Sequence, residues 1–262
     1  MTHHGERLPV GDGAEIAWSR QGSGAPVVLV HGITENARSF DPLAEQLAAT
    51  NEVVTLDLRG HGESGTAATY DLAARAGDGS AVATAAGCEA PTYVGHSLGG
   101  AVVTAVGAAA PSQAVVCIDQ SLQLDAFKAQ LMAVEPMLRD ADAFGPTIDA
   151  LFDAMYGSLG DGERTRVAAL RRADQNVVLG VWGQILTDSE AEIAATVDAA
   201  LAGYSGRDVT YVATFGSDPG PYGEWISERI ANARVEVTDG VGHYPHLVDP
   251  DGYAALIRSL AS

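Results

Sequence analysis

The chain has 262 residues, 47% of them hydrophobic and 19% charged, which is enough apolar material for one sizeable core and too little charge for a disordered chain. Fifteen Lys and Arg against 34 Asp and Glu leave a formal charge of −19, so nucleic acid and anionic membrane surfaces are repelled and neither is an expected partner. No stretch approaches the about 20 apolar residues that span a bilayer, and Met1 to Arg7 lack the basic patch and apolar run of a signal peptide, so a cytoplasmic protein is expected.

Taken in chain order, residues 11–20 carry the turn signal Asp12-Gly13 and predict an antiparallel hairpin. Short apolar runs follow at 26–30, 52–56, 92–94, 114–118, 209–215 and 234–237, each bounded by Gly, Asp or Pro. Continuous β-branched runs without alternation read as strands buried on both faces. Segments of helical composition lie between them, at 42–49, 98–109 and 223–230. Alternating strands and helices predict an α/β fold with a parallel sheet covered on both sides.

The alternation stops between residues 120 and 204, which hold no convincing strand and carry Met132, Met137, Met155, Phe127, Phe144, Phe152, Tyr156 and Trp182. Helical patterns at 149–156, 163–172 and 189–201 predict a helical insertion over the core, a lid whose aromatic side chains in part face a pocket. The two cysteines, Cys88 and Cys117, are too few for a disulfide framework. Cys117 falls inside a strand-like run and reads as a small buried hydrophobe.

Gly95-His96-Ser97-Leu98-Gly99-Gly100 follows the run at 92–94 and precedes an apolar helix. This is a G-x-S-x-G pattern in a strand–turn–helix setting, where glycines allow a sharp turn that exposes the Ser97 hydroxyl. The first N–H groups of the following helix, notably that of Leu98, then face any oxyanion formed on an attacked carbonyl. His31-Gly32-Ile33 follows another strand, and its tight turn can present the Ile33 N–H as a second donor. His31 reads as a structural hydrogen-bonding residue, and Asp57 to Ser64 as a backbone-organising loop.

A serine hydroxyl needs an imidazole to take its proton, and the imidazole needs a carboxylate to fix its tautomer. His243, in the glycine-rich Gly240-Val241-Gly242-His243-Tyr244-Pro245-His246, is the best base. His246 begins a helical segment, and His96 sits beside the nucleophile pointing elsewhere. Nothing resembles a ligand cluster, with His3-His4 near the terminus the only adjacent pair, so neither metal nor cofactor is expected.

With His31-Gly32, Asp57 to Ser64, Gly95 to Gly100 and Gly242-His243-x-Pro245-His246 in this order, the chain resembles the α/β-hydrolase fold family over nearly its whole length. The resemblance implies an eight-stranded, mostly parallel sheet with a helical cap between strands six and seven. It divides the chain into a core at 1–119 and 205–262 and a cap at 120–204. It also implies Ser97 as nucleophile, His243 as base, and Ile33 with Leu98 as oxyanion donors; Ser97 excludes members with an aspartate nucleophile.

The family's acid usually follows strand seven in a Gly-x-x-Asp turn, but Gly216-Ser217-Asp218-Pro219 is one residue short of it. The family's other site lies after strand six, where Asp119 follows the run at 115–118. Asp119 is favoured because it stands at the carboxyl edge of the sheet, where catalytic groups gather; Asp218 is the fallback. An acid after strand six, Trp182 in the cap and the ending at 242–246 are together similar to the zearalenone-lactonase branch. That likeness implies a macrocyclic lactone as substrate, with Trp182 packing on it or hydrogen-bonding to it.

The expectation is a serine hydrolase, a carboxylesterase or lactonase, acting on a small-molecule ester with an apolar body. The same triad serves carbon–carbon bond hydrolysis or perhydrolysis in some relatives, and a hydrolase-derived small-molecule receptor is a third reading. Oligomeric state is open, a homodimer included.

Overall fold

The computed structural model of the chain describes residues 5–261. Met1 to His4, and with them most of the N-terminal stretch and the His3-His4 pair, lie outside the described residues. Eight strands form one sheet: β1 (Glu6–Pro9), β2 (Glu15–Gly22), β3 (Ala25–Val30), β4 (Asn51–Leu56), β5 (Thr92–His96), β6 (Ala114–Ile118), β7 (Thr210–Phe215) and β8 (Ala233–Val237). Their order is β1-β2-β4-β3-β5-β6-β7-β8. The β1-β2 and β2-β4 pairs are antiparallel and the remaining pairs parallel. The Asp12-Gly13 turn joins β1 to β2, so the hairpin spans residues 6–22 and begins before the expected 11–20, and the apolar runs are the parallel strands.

The helices are α1 (Asp41–Leu47), α2 (Leu72–Ala85), α3 (Leu98–Ala109), α4 (Asp125–Arg139), α5 (Ala141–Asp153), α6 (Asp161–Leu170), α7 (Gln175–Thr187), α8 (Glu190–Leu201), α9 (Tyr222–Ser227), α10 (Pro245–Val248) and α11 (Pro250–Leu260). Successive strand residues point to opposite faces. Val27 and Leu29 therefore pack with Leu43 and Leu47 of α1 and Ile257 of α11, whereas Val28 and Val30 pack with Val82 of α2 and Val102 and Val106 of α3. Both faces are covered, which is why these runs are apolar without alternation.

Helix α2 has no counterpart in the sequence reading. Gly77 and Gly79 lie inside it, each costing about 1 kcal/mol relative to Ala, so local propensity hides the element. It is secured instead by Asp71, whose side chain accepts the Ala74 N–H at 2.7 Å, and by packing on α3. The patterned helix at 149–156 also differs: α5 starts at Ala141, capped by Asp140 on the N–H groups of Asp142 and Ala143, and ends at Asp153.

Within 120–204 the spacings Phe144-Ile148-Phe152 and Val178-Trp182-Leu186 put apolar side chains on single faces of α5 and α7. These faces meet each other and Leu131 and Leu138 of α4 in one cluster, which also takes in Ile33. Lys128, the chain's only lysine, joins α4 to the end of α7 by donating to the carbonyls of Ile185 and Asp188 at 2.7 and 2.8 Å. Helix α8, which opens on a Ser189/Glu192 capping box, behaves differently: Leu201 and Val197 join the cluster beneath α3. No helix among the described residues is long and apolar enough to cross a membrane.

One buried ion pair braces the sheet edge against α2. Arg59 donates through Nε and an Nη atom to both oxygens of Asp78 at 2.6 and 2.7 Å, and to Asp12 at 2.7 Å. Removing one partner of such a pair strands a buried charge at a cost of about 3–5 kcal/mol. Arg59→Met should lower the unfolding free energy by about that much in urea titrations, whereas Arg20→Met, at an exposed pair with Glu52, should change it by less than about 1 kcal/mol.

Candidate active site

Because the sheet from β4 to β8 is parallel, the ends of β3, β5, β6 and β7 fall along one edge, and the chemistry-bearing residues gather there. Three non-glycine residues among those described have positive φ: Thr34 (64°), Ser97 (51°) and Asp119 (50°). Each follows β3, β5 or β6. Such backbone costs about 1–3 kcal/mol per residue and persists only where the surroundings enforce it.

At Ser97 the enforcement is steric. A Cβ at Gly95 would collide with the Gly99 carbonyl, and one at Gly99 with the Val30 carbonyl, so β5 and α3 can approach only through glycine. Ser97 N–H donates to the Ile118 carbonyl at 2.9 Å, which ties the turn to β6. Ser97 Oγ has no hydrogen-bond partner among the described residues, and Leu98 opens α3, where the first N–H groups have no intrahelical acceptor.

The loop after β3 is fastened from below. Asp57, fully buried, accepts the N–H groups of Ala37 and Glu63, each at 2.7 Å. The His31 ring accepts the Leu58 N–H at Nε2 (2.9 Å) and so donates from Nδ1 to the Gly32 carbonyl (2.7 Å). Both nitrogens are committed to the backbone, and burial pushes the His31 pKa down. His31 thus shapes the turn that carries Ile33 and is itself removed from proton transfer.

His243 and Asp119 meet across 124 residues of chain: His243 Nδ1 lies 2.6 Å from Asp119 Oδ2. Asp119 Oδ1 accepts the Gly216 N–H at 2.8 Å. Burial alone would push the Asp119 carboxyl up, but the His243 hydrogen bond and charge, with the Gly216 N–H, hold it below the ordinary carboxylate range. With Nδ1 committed, His243 Nε2 is left uncommitted. Asp218 makes no hydrogen bond or ion pair with His243 among the described residues; its side chain accepts the Gly220 N–H at 2.8 Å in an exposed turn.

The helical segment is stitched to both loops. His243 N–H donates to the Met155 carbonyl at 3.0 Å, and Arg172 N–H to the Thr34 carbonyl at 2.8 Å. Arg166 reaches the carbonyls of Arg38 and Ser39 at 2.7 and 3.0 Å. Trp182 is buried, edge-on to Phe127 with ring centroids 5.8 Å apart, in the cluster that includes Ile33 and is flanked by Leu98. Cys88 and Cys117 are free thiols, both raised to about 11 chiefly by burial. Sequence reasoning passed over Glu35 and Met155, which stand beside the site without belonging to any short motif.

Residues 27–256 match the sequence profile of a family described as the alpha/beta hydrolase family. The chain belongs to that family. The alpha/beta hydrolase is 30% identical over 249 residues, 88% of this chain and 91% of the relative, to a pimeloyl-[acyl-carrier protein] methyl ester esterase of Neisseria meningitidis serogroup B. It is 25% identical to the esterase YbfF of Escherichia coli, covering 91% of this chain and 93% of that one. An esterase structure from Exiguobacterium antarcticum superposes with a TM-score of 0.81 over 98% of this chain and all of its own, at 20% identity.

The hydrolase also keeps His61 neutral in its interior. Burial, then the nearby His31, pushes His61 down to about 3 from 6.5. The unfolded chain therefore binds this proton below about pH 6.5 while the folded chain refuses it until about pH 3, so stability is whole above that window and falls through it as pH drops. His61→Asn, which keeps a donor for the Arg59 carbonyl now held by Nδ1 at 3.0 Å, should flatten that fall in denaturation curves taken from pH 7 to 4. An unchanged slope would show that His61 is not held neutral.

Proposed function

We propose that this hydrolase is a serine esterase that cleaves a small-molecule carboxylic ester or lactone through an acyl-enzyme on Ser97. The observation that carries the reading is the 2.6 Å contact of His243 Nδ1 with Asp119 Oδ2, beside a serine whose strained backbone leaves its hydroxyl unpartnered. The Asp119 carboxylate holds the proton on Nδ1, so the lone pair on Nε2 faces outward as a general base.

Ser97 Oγ attacks the ester carbonyl while His243 Nε2 takes its proton. The oxyanion accepts the N–H groups of Ile33 and Leu98, a term worth about 3–4 kcal/mol per donor in comparable sites. The protonated imidazole then gives its proton to the departing alkoxide, and a water deprotonated by His243 attacks the acyl-serine, releasing the acid and restoring Ser97. Each proton only passes through His243 Nε2: the first leaves with the alcohol and the second, taken from water, restores the Ser97 hydroxyl.

Helices α4 to α7 serve as the cap. Their apolar cluster runs onto Ile33 and Leu98, which favours an ester with an apolar body, and the names of the curated relatives favour an ester as the bond broken. Trp182 is proposed as a wall of the acyl or alcohol site. A resorcylic macrolactone is the finer reading of the substrate.

Acid release in a pH-stat, over aryl esters, small lactones and one resorcylic macrolactone, tests the reading. The wild type should open one class and Ser97→Ala none. Asp119→Asn should cost about 10³–10⁴ in kcat, while Asp218→Asn stays within about twofold; the reverse pattern reassigns the acid. Trp182→Ala should raise KM or change the preferred class. Silence across the panel from folded protein overturns the esterase.

A further inference from the structure

Beneath the base lies a second carboxylate–imidazole pair, formed by Glu35 and His96. Glu35 is 3% exposed and His96 fully buried. His96 Nε2 lies 2.7 Å from the carbonyl oxygen of His243, and its Nδ1 lies 3.6 Å from Glu35 Oε2. A carbonyl only accepts, so Nε2 must carry hydrogen. The other neighbour is a buried carboxylate, which needs a cation.

Rings crowd the same place. His96 stands with its centroid 4.7 Å from His243, 5.0 Å from Tyr244 and 4.6 Å from His246. The Tyr244 hydroxyl and both His246 nitrogens, like both Glu35 oxygens and His96 Nδ1, are buried without a conventional hydrogen bond. His246 is pushed well below its ordinary value, by burial first and then by His96, so it supplies no charge. The remaining groups facing the pair are His31, already spent on the backbone, His61, kept neutral by burial, Asp119 behind His243, and Arg166 and Arg171 beyond His246 and Tyr244. His96 is the only one of the buried imidazoles here within ion-pair range of Glu35.

We propose that Glu35 and His96 are positioning residues for the base: Glu35 holds His96 as an imidazolium, whose Nε2–H pins the His243 carbonyl while the cap pins its N–H through Met155. The base would then be clamped at both backbone polar groups, and its ring would be free to move only about its side-chain torsions. The directions of titration agree. Burial would push His96 down, but Glu35 raises it above its ordinary value, and the Glu35 carboxyl, which burial would raise, is held far below its own, chiefly by His96. The charge matters as well as the hydrogen bond. Glu35 Oε2 and Ser97 Cβ would both lie 3.3 Å from a Cβ at Gly32, so an uncompensated carboxylate would stand beside the oxyanion loop and oppose the charge that develops there.

The inference rests on His243 being the base, and its test separates the two ideas by including a readout that needs no turnover. In ring-nitrogen NMR spectra, assigned with His96→Gln, His96 should be a doubly protonated imidazolium at pH 7–8 in the wild type. It should be neutral in Glu35→Gln, whose amide leaves a buried imidazole without a counterion. In kinetics, Glu35→Gln and His96→Leu should lower kcat by about ten- to a hundredfold, the scale of a slightly misplaced catalytic group, with KM unchanged. The wild-type kcat should fall at alkaline pH as His96 loses its second proton, and that limb should vanish in Glu35→Gln. The double variant Glu35→Gln/His96→Gln, which keeps an N–H for the His243 carbonyl without a buried charge, should recover part of the lost kcat. A neutral His96 in the wild type, or variants that lose thermal stability while keeping kcat per folded molecule and the alkaline limb, would overturn the proposal.

Discussion

The hydrogen bond between His243 Nδ1 and Asp119 Oδ2 joins parts of the chain that share no local structure, and much of the architecture serves to place its two ends. Asp119 is aimed by the end of β6, by its positive φ and by the Gly216 N–H. His243 hangs from a glycine-rich loop whose approach depends on bare backbone: a Cβ at Gly216 would collide with the Gly242 carbonyl. The parallel sheet supplies the common edge, since neighbouring strand ends lie only about 4.8 Å apart. A short bond between a carboxylate and an imidazole then needs no long side chains, only correct strand register.

Strain and burial are concentrated at that edge. The three positive-φ residues outside glycine follow three strands that line it, and the surrounding polar side chains are spent on fixing backbone: His31 and Asp57 hold the turn after β3, and Arg166 holds the segment that follows it. The helical segment takes part in this fixation, because the N–H of His243 and the carbonyl of Thr34 are both satisfied by its backbone. The helical segment and the His243 loop are thus linked, through Met155 on one side and the Tyr156–Tyr244 ring contact on the other.

The acidic surface fits this division of labour. With a charge of −19 the molecule discourages anionic partners, while the candidate site gathers backbone N–H groups and the His243 imidazole. Two of the cations are used structurally: Lys128 ties α4 to the end of α7, and Arg59 ties the loop after β4 to α2. The neutrality of the buried His31, His61 and His246 follows from burial.

The sequence by itself determined what depends on neighbours along the chain. Continuous β-branched runs marked the parallel strands, Gly95-His96-Ser97-Leu98-Gly99 marked a turn that only glycine permits, and the lack of strands between 120 and 204 marked the helical segment. Motif order pointed to the family, and the glycine-rich loop at 240–246 pointed to His243 as the base. What tertiary structure alone decided depends on contacts distant in sequence. Asp119, not Asp218, meets His243: Asp119 follows β6 with its carboxylate on His243, whereas Asp218 is consumed within its own exposed turn. Helix α2, diluted by two glycines, owes its existence to packing on α3. Glu35 carries no motif at all, since a buried carboxylate is defined by the cation it meets, and His96 lies 61 residues further on, in the next strand across the sheet.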